Sequence, residues 1–99
     1  MGKASRSKGR RAENEFVAKL RFYGFPAKRV SEAGSPGPDV EAFGRQVEVK
    51  RRAKLPVTLE KWRRDADIVA MREDLGHWML YMPVEVFLDI LDEAIEGDL

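Results

Sequence analysis

Apolar residues along the chain fall into runs with two different periods. Ala12, Phe16, Val17 and Leu20 share one helical stripe, which predicts a helix from about Lys8 that stops near Tyr23-Gly24, with Phe25-Pro26 beyond it. Residues 27–31 read as a short strand, and 32–38 as a loop rich in Gly and Pro. Val40-Glu41-Ala42-Phe43, then Gly44 and Arg45, then residues 46–50 read as a hairpin with a glycine at the reversal. Alternation puts Gln46, Glu48 and Lys50 on one face of that hairpin and Val47 and Val49 on the other.

Further along, Thr58 predicts the cap of a helix over about 59–72, with Leu59, Trp62, Ala66, Val69 and Ala70 as its apolar positions. Trp78-Met79-Leu80-Tyr81-Met82 reads as the last strand, ended by Pro83. Val84, Phe87, Leu88, Leu91, Ala94 and Ile95 form an amphipathic helical stripe opposite six acidic residues. The expected organisation is a flexible basic arm over residues 1–7 and a single domain over 8–99. A chain of 99 residues supports one modest core, so self-association would add stability.

The net charge of +1 conceals a sorted distribution. Residues 1–64 carry 17 Lys/Arg against 7 Asp/Glu, whereas residues 65–99 carry 1 against 10. A basic surface of this kind neutralises phosphates and releases counterions, giving salt-sensitive affinity for nucleic acid. The cations expected to serve it are Lys3, Arg6, Lys8, Arg10, Arg11, Arg29, Arg51, Arg52 and Lys54, while Lys61, Arg63 and Arg64 could also meet a backbone. Cysteine is absent, which excludes disulfides and thiolate metal sites. There is no apolar run of the ~20 residues that a bilayer requires. The arm lacks the apolar region of a secretory signal, so the expectation is a soluble protein of the cytoplasm. His77 has no Cys or His partner nearby in sequence, which argues against zinc. Trp62 and Trp78 read as core or interface anchors.

Chemistry concentrates at Asp39 and at Glu48-Val49-Lys50. Two carboxylates and a lysine on neighbouring strand-like runs can hold a divalent metal and a water beside a phosphate. An acid and a base on one face would be costly in a core unless metal, water or substrate satisfied them. Glu13, at the edge of the inward stripe of the first helix, is the better candidate there than the more exposed Glu15. The bland alternatives are a surface Glu48/Lys50 pair, a turn role for Asp39 after Pro38, and a helix-surface or capping role for Glu13.

The order of these parts resembles the archaeal-type Holliday-junction resolvases of the PD-(D/E)xK nuclease superfamily. The resemblance covers roughly residues 7–52: Lys8-Gly9-Arg10-Arg11-Ala12-Glu13, Gly24-Phe25, Arg29, Gly34-Ser35, Pro38-Asp39 and Glu48-Val49-Lys50. It implies an α/β, restriction-endonuclease-like fold with a central mixed β-sheet flanked by α-helices. It also implies a homodimer that makes paired, Mg²⁺-dependent cuts in branched DNA at four-way junctions, with Mn²⁺ able to substitute and no organic cofactor. By position, Glu13, Asp39, Glu48 and Lys50 look like the catalytic set, and Ser35 is similar to a loop serine near the scissile phosphate, although a loop-forming role fits it equally. Asp39, Glu48, the Val49 carbonyl and Glu13 would be the metal ligands. Lys50 would orient or help deprotonate the attacking water. Beyond Arg52 the match is only in kind, a helix, a strand and a final helix. Cutting of duplex, flap or single-stranded DNA, and a non-catalytic DNA-binding module on the same fold, stay open as alternatives. A small interaction protein using its acidic C-terminal helix ranks last.

Overall fold

A computed structural model describes residues 2–30 and 39–97, with side chains from Lys8 onward. Its elements run α1 (Gly2–Phe22), β1 (Ala27–Arg29), β2 (Val40–Ala42), β3 (Arg45–Val47), α2 (Val57–Arg63), β4 (Val69–Met71), β5 (Met79–Tyr81) and α3 (Val84–Ile95). Within the span expected to form one domain, the chain divides into two compact units, Met1–Arg52 and Ala53–Leu99. The architecture is α+β: helices with two small antiparallel sheets, ordered β1-β2-β3 and β4-β5. Among the described residues every strand pairing is antiparallel, where one mixed sheet was the expectation.

In the first unit, α1 takes in residues 2–7, so the helix begins before Lys8. Its end is a Schellman motif: the Phe25 N–H donates to Leu20 O at 3.0 Å and the Gly24 N–H to Arg21 O at 2.9 Å. Gly24 adopts φ +90, a conformation glycine reaches without steric cost. Lys19 and Arg21 in the last turn suit the negative end of the helix dipole. Arg21 Nε also bonds the Ala27 carbonyl at 2.9 Å, tying the helix end to the start of β1. Val17 and Leu20 of α1 are buried, as are Ala27, Val40 and Ala42 of the sheet, and this small layer is the unit's core. Leu20 and Val40 are fully enclosed; burial stabilises each by about 1.5–3 kcal/mol.

The β2–β3 reversal is centred on Phe43-Gly44, one residue earlier than Gly44-Arg45. Both central residues have positive φ, 57 and 68, the pattern of a type I′ turn. Phe43 is unusual in that conformation, and its ring packs on Phe25 with centroids 5.5 Å apart.

In the second unit, α2 is shorter than the predicted helix and starts after Pro56, with Thr58 inside it instead of capping it. Asp65-Ala66-Asp67 breaks the helix, and Val69–Met71 forms β4 against β5, in register Ala70↔Leu80. Asp favours turns over helix interiors, and β-branched Ile68 and Val69 favour extended backbone. The strand near Trp78 and the final helix follow the predicted pattern, with Leu88 of α3 fully buried. Trp62 and Trp78 are 50% and 67% exposed, so neither is a core residue. Among the described residues no helix is long and apolar enough to cross a membrane.

Candidate active site

Asp39 stands immediately before β2, and three hydrogen bonds fix it. Its carbonyl accepts from the Val30 N–H at 3.1 Å, its N–H donates to Val47 O at 3.1 Å, and its Oδ2 accepts from the Val49 N–H at 2.8 Å. The first two bonds prolong the ladders on both sides of β2. The third replaces a backbone acceptor with a carboxylate, which draws the chain after β3 against Asp39. Among the described residues, Oδ1 carries no hydrogen bond.

Glu48, Val49 and Lys50 follow β3 in extended alternation. Val47 and Val49 are half-buried, while Gln46, Glu48 and Lys50 are exposed, as the period-two pattern predicts. Glu48 Oε1 and Lys50 Nζ lie 3.0 Å apart, with side chains 63% and 61% exposed. Asp39, Glu48, Val49 and Lys50 are therefore gathered at one end of the three-stranded sheet, and the Phe43-Gly44 turn is at the other.

Glu13 is placed differently. It projects from α1 toward β1, where Oε1 accepts from Arg29 Nε at 3.1 Å. Lys8 is half-buried, Arg10, Arg11, Arg51, Arg52 and Lys54 are exposed, and Arg29 is partly covered by its ion pair. For Lys3 and Arg6 only their positions in α1 are described. Ser35 lies outside the described residues.

Among the described residues no group of three or more His, Asp or Glu side chains converges as a metal-holding cluster. The chemistry of the smaller donor set nonetheless fits Mg²⁺, which takes hard oxygens and commonly binds through one or two carboxylates while keeping several waters. Asp39 and Glu48, with the Val49 carbonyl, are donors of that type.

The resemblance to the resolvases implies a role for the Val49 carbonyl and gives no hint of the Val49 N–H, which is the group that contacts Asp39. A second polar cluster in the other unit was also missed. Arg63 bonds Glu60 through two parallel contacts of 3.1 Å, and the Tyr81 hydroxyl donates to the same carboxylate. The Arg63 and Tyr81 hydrogen bonds pull Glu60 down from 4.5 to about 2. Arg63 and Tyr81 are both shifted upward by their bonds to Glu60. The helical i, i+3 spacing of Glu60 and Arg63 was a readable signal; Tyr81, on a separate strand, left none.

Comparison with protein-family models, curated proteins and solved structures finds no match.

Proposed function

We propose that this chain is a Mg²⁺-dependent, structure-specific DNA endonuclease, acting as a homodimer that makes paired cuts at four-way junctions on a restriction-endonuclease-like framework. The observation that carries the reading is the Asp39–Val49 hydrogen bond of 2.8 Å, which ties the Asp39 carboxylate to the Glu48-Val49-Lys50 segment. That contact gives a D…ExK pattern, weak as a string of letters, a physical basis.

In this reading Asp39, Glu48 and the Val49 carbonyl are the groups that would hold the metal. Mg²⁺ bound there would supply Lewis-acid stabilisation of a phosphodiester and lower the pKa of water. The Val49 N–H, by holding Oδ2, fixes the orientation of the Asp39 carboxylate before DNA arrives. Lys50 changes partners as substrate binds: its ammonium leaves Glu48, orients the attacking water and offsets charge developing on the phosphoryl oxygens. The same exchange would free the Glu48 carboxylate. Hydrolysis leaves 5′-phosphate and 3′-hydroxyl ends. The exposed cations of α1 and the Arg51-Arg52-Lys54 segment grip the backbone through counterion release. Two strands of opposite polarity call for two equivalent sites, which a two-fold dimer provides; Trp78 and Leu80, 67% and 62% exposed, are candidates for its contact.

A second reading, a DNA-binding module without catalysis, draws on the exposed Glu48–Lys50 pair, whose 3.0 Å contact is also what an ordinary surface ion pair looks like. Metal dependence separates the two. A nuclease cuts DNA with Mg²⁺ and stops with chelator, whereas a module binds with salt-sensitive affinity and yields no product.

A further inference from the structure

Glu13 is half-buried on the inner side of α1, with its side chain 14% exposed. It precedes buried Val17 and Leu20 by four and seven residues, so all three lie along one stripe. Its Oε1 accepts from Arg29 Nε at 3.1 Å, a charge-assisted contact between helix and sheet. Arg29 pairs with Val40 in the sheet, and alternation places it on the side of Ala27 and Val40, both buried. Glu48 and Lys50 are exposed on the side opposite half-buried Val47 and Val49. Glu13 and Glu48 thus belong to opposite faces of the sheet, an arrangement poorly suited to sharing one small cation with Asp39.

The same ladder brings Arg29 to the functional end of the sheet. The residue after it, Val30, donates its N–H to Asp39 O at 3.1 Å. A guanidinium is a rigid planar fork, so a bond at Nε fixes the directions of its remaining N–H groups. Those groups suit a phosphate oxygen, and the side chain is 30% exposed, enough for a backbone to reach it.

We infer that Glu13 is a positioning residue and not a metal ligand: it holds the Arg29 guanidinium at the Asp39 end of the sheet, where Arg29 binds a DNA phosphate. The contrast with a metal ligand rests on the nuclease reading, while the Glu13–Arg29 coupling to DNA stands independently of it.

The test is a double-mutant cycle on the full chain with Glu13→Ala, Arg29→Ala and both together. It reads DNA affinity in chelator, the Mg²⁺ concentration for half-maximal cleavage, and thermal unfolding. Each single variant is expected to weaken metal-free DNA binding about tenfold, and the double variant no more than Arg29→Ala alone, since contacting pairs are non-additive. The Mg²⁺ requirement of Glu13→Ala stays at the wild-type value. Glu13→Gln, whose amide oxygen still accepts from Nε, retains most of the affinity and serves if the alanine variants unfold. An increased Mg²⁺ requirement with unchanged metal-free affinity would make Glu13 a ligand and overturn the inference. Additive losses would overturn it too. A lower melting temperature with wild-type DNA affinity would reduce the pair to a structural strut. If the wild-type chain cuts nothing, the nuclease reading fails, and the cycle in chelator still decides whether Glu13 acts through Arg29.

Discussion

The Val49 amide donates to the Asp39 carboxylate at 2.8 Å across ten residues of chain. One bond therefore does two things: it holds the segment that follows β3 and it orients an acid that the proposed chemistry requires. The bond and the charge can be separated, because asparagine keeps the oxygen that accepts from Val49 but loses the charge.

Asp39→Asn is expected to fold with nearly wild-type stability, while Asp39→Ala, which leaves the Val49 N–H without its acceptor, costs about 1–2 kcal/mol. Both variants should lose cleavage by about a hundredfold or more. Urea unfolding beside a cleavage time course checks the split. Wild-type stability in Asp39→Ala would show that the bond contributes nothing to the fold.

Lys50→Ala tests the opposite combination. The Glu48–Lys50 pair is more than half exposed, and such pairs contribute about 0–1 kcal/mol. Stability should hardly move, while cleavage falls about a hundredfold or more. A Lys50→Ala protein that cuts at the wild-type rate would mark the pair as a surface ion pair and nothing else.

The Glu60 cluster makes a prediction about acid. A carboxyl held at about 2 in the folded chain and 4.5 in its ordinary state contributes stability that is complete above 4.5 and is lost as pH falls toward 2. Glu60→Gln should therefore be less stable than wild type at neutral pH, with the difference shrinking below 4.5 and gone near 2. Thermal melts across that range measure it, and a difference independent of pH would contradict the assignment. Tyr81, shifted upward by the same bond, keeps the cluster intact until alkaline pH.

Gly44 is held at φ +68, and a Cβ added there would meet nothing within 4 Å. The cost of Gly44→Ala is then conformational and not steric, about 1 kcal/mol, and Gly44→Asn should cost less because Asn tolerates the left-handed region. Denaturant midpoints of the two variants decide the order. A neutral Gly44→Ala would mean that the turn can relax to another type.

Local signals carried much of this structure. Gly24 stops α1, Gly44 marks the hairpin reversal to within one residue, Pro83 separates β5 from α3, and alternation puts Glu48 and Lys50 on one face; each is decided by neighbours in sequence. The misreadings fall where distant partners decide. Val69-Ala70 fits a helical stripe as well as a strand, and pairing with Leu80 and Tyr81 makes it β4. Glu13 was legible as an inward-facing acid, but its partner Arg29 is sixteen residues away on another element. The Asp39–Val49 bond involves a backbone N–H, which every residue except proline carries, so no residue type announces it.

The measurement that bears most directly on function is cleavage of a labelled synthetic four-way junction, beside duplex, flap and single-stranded controls, with Mg²⁺ and with chelator. The expected result is paired symmetric nicks on the junction alone, abolished by chelator and by Asp39→Asn. Tight, salt-sensitive binding of the junction with no product under any metal condition would contradict the nuclease and leave a binding module in its place.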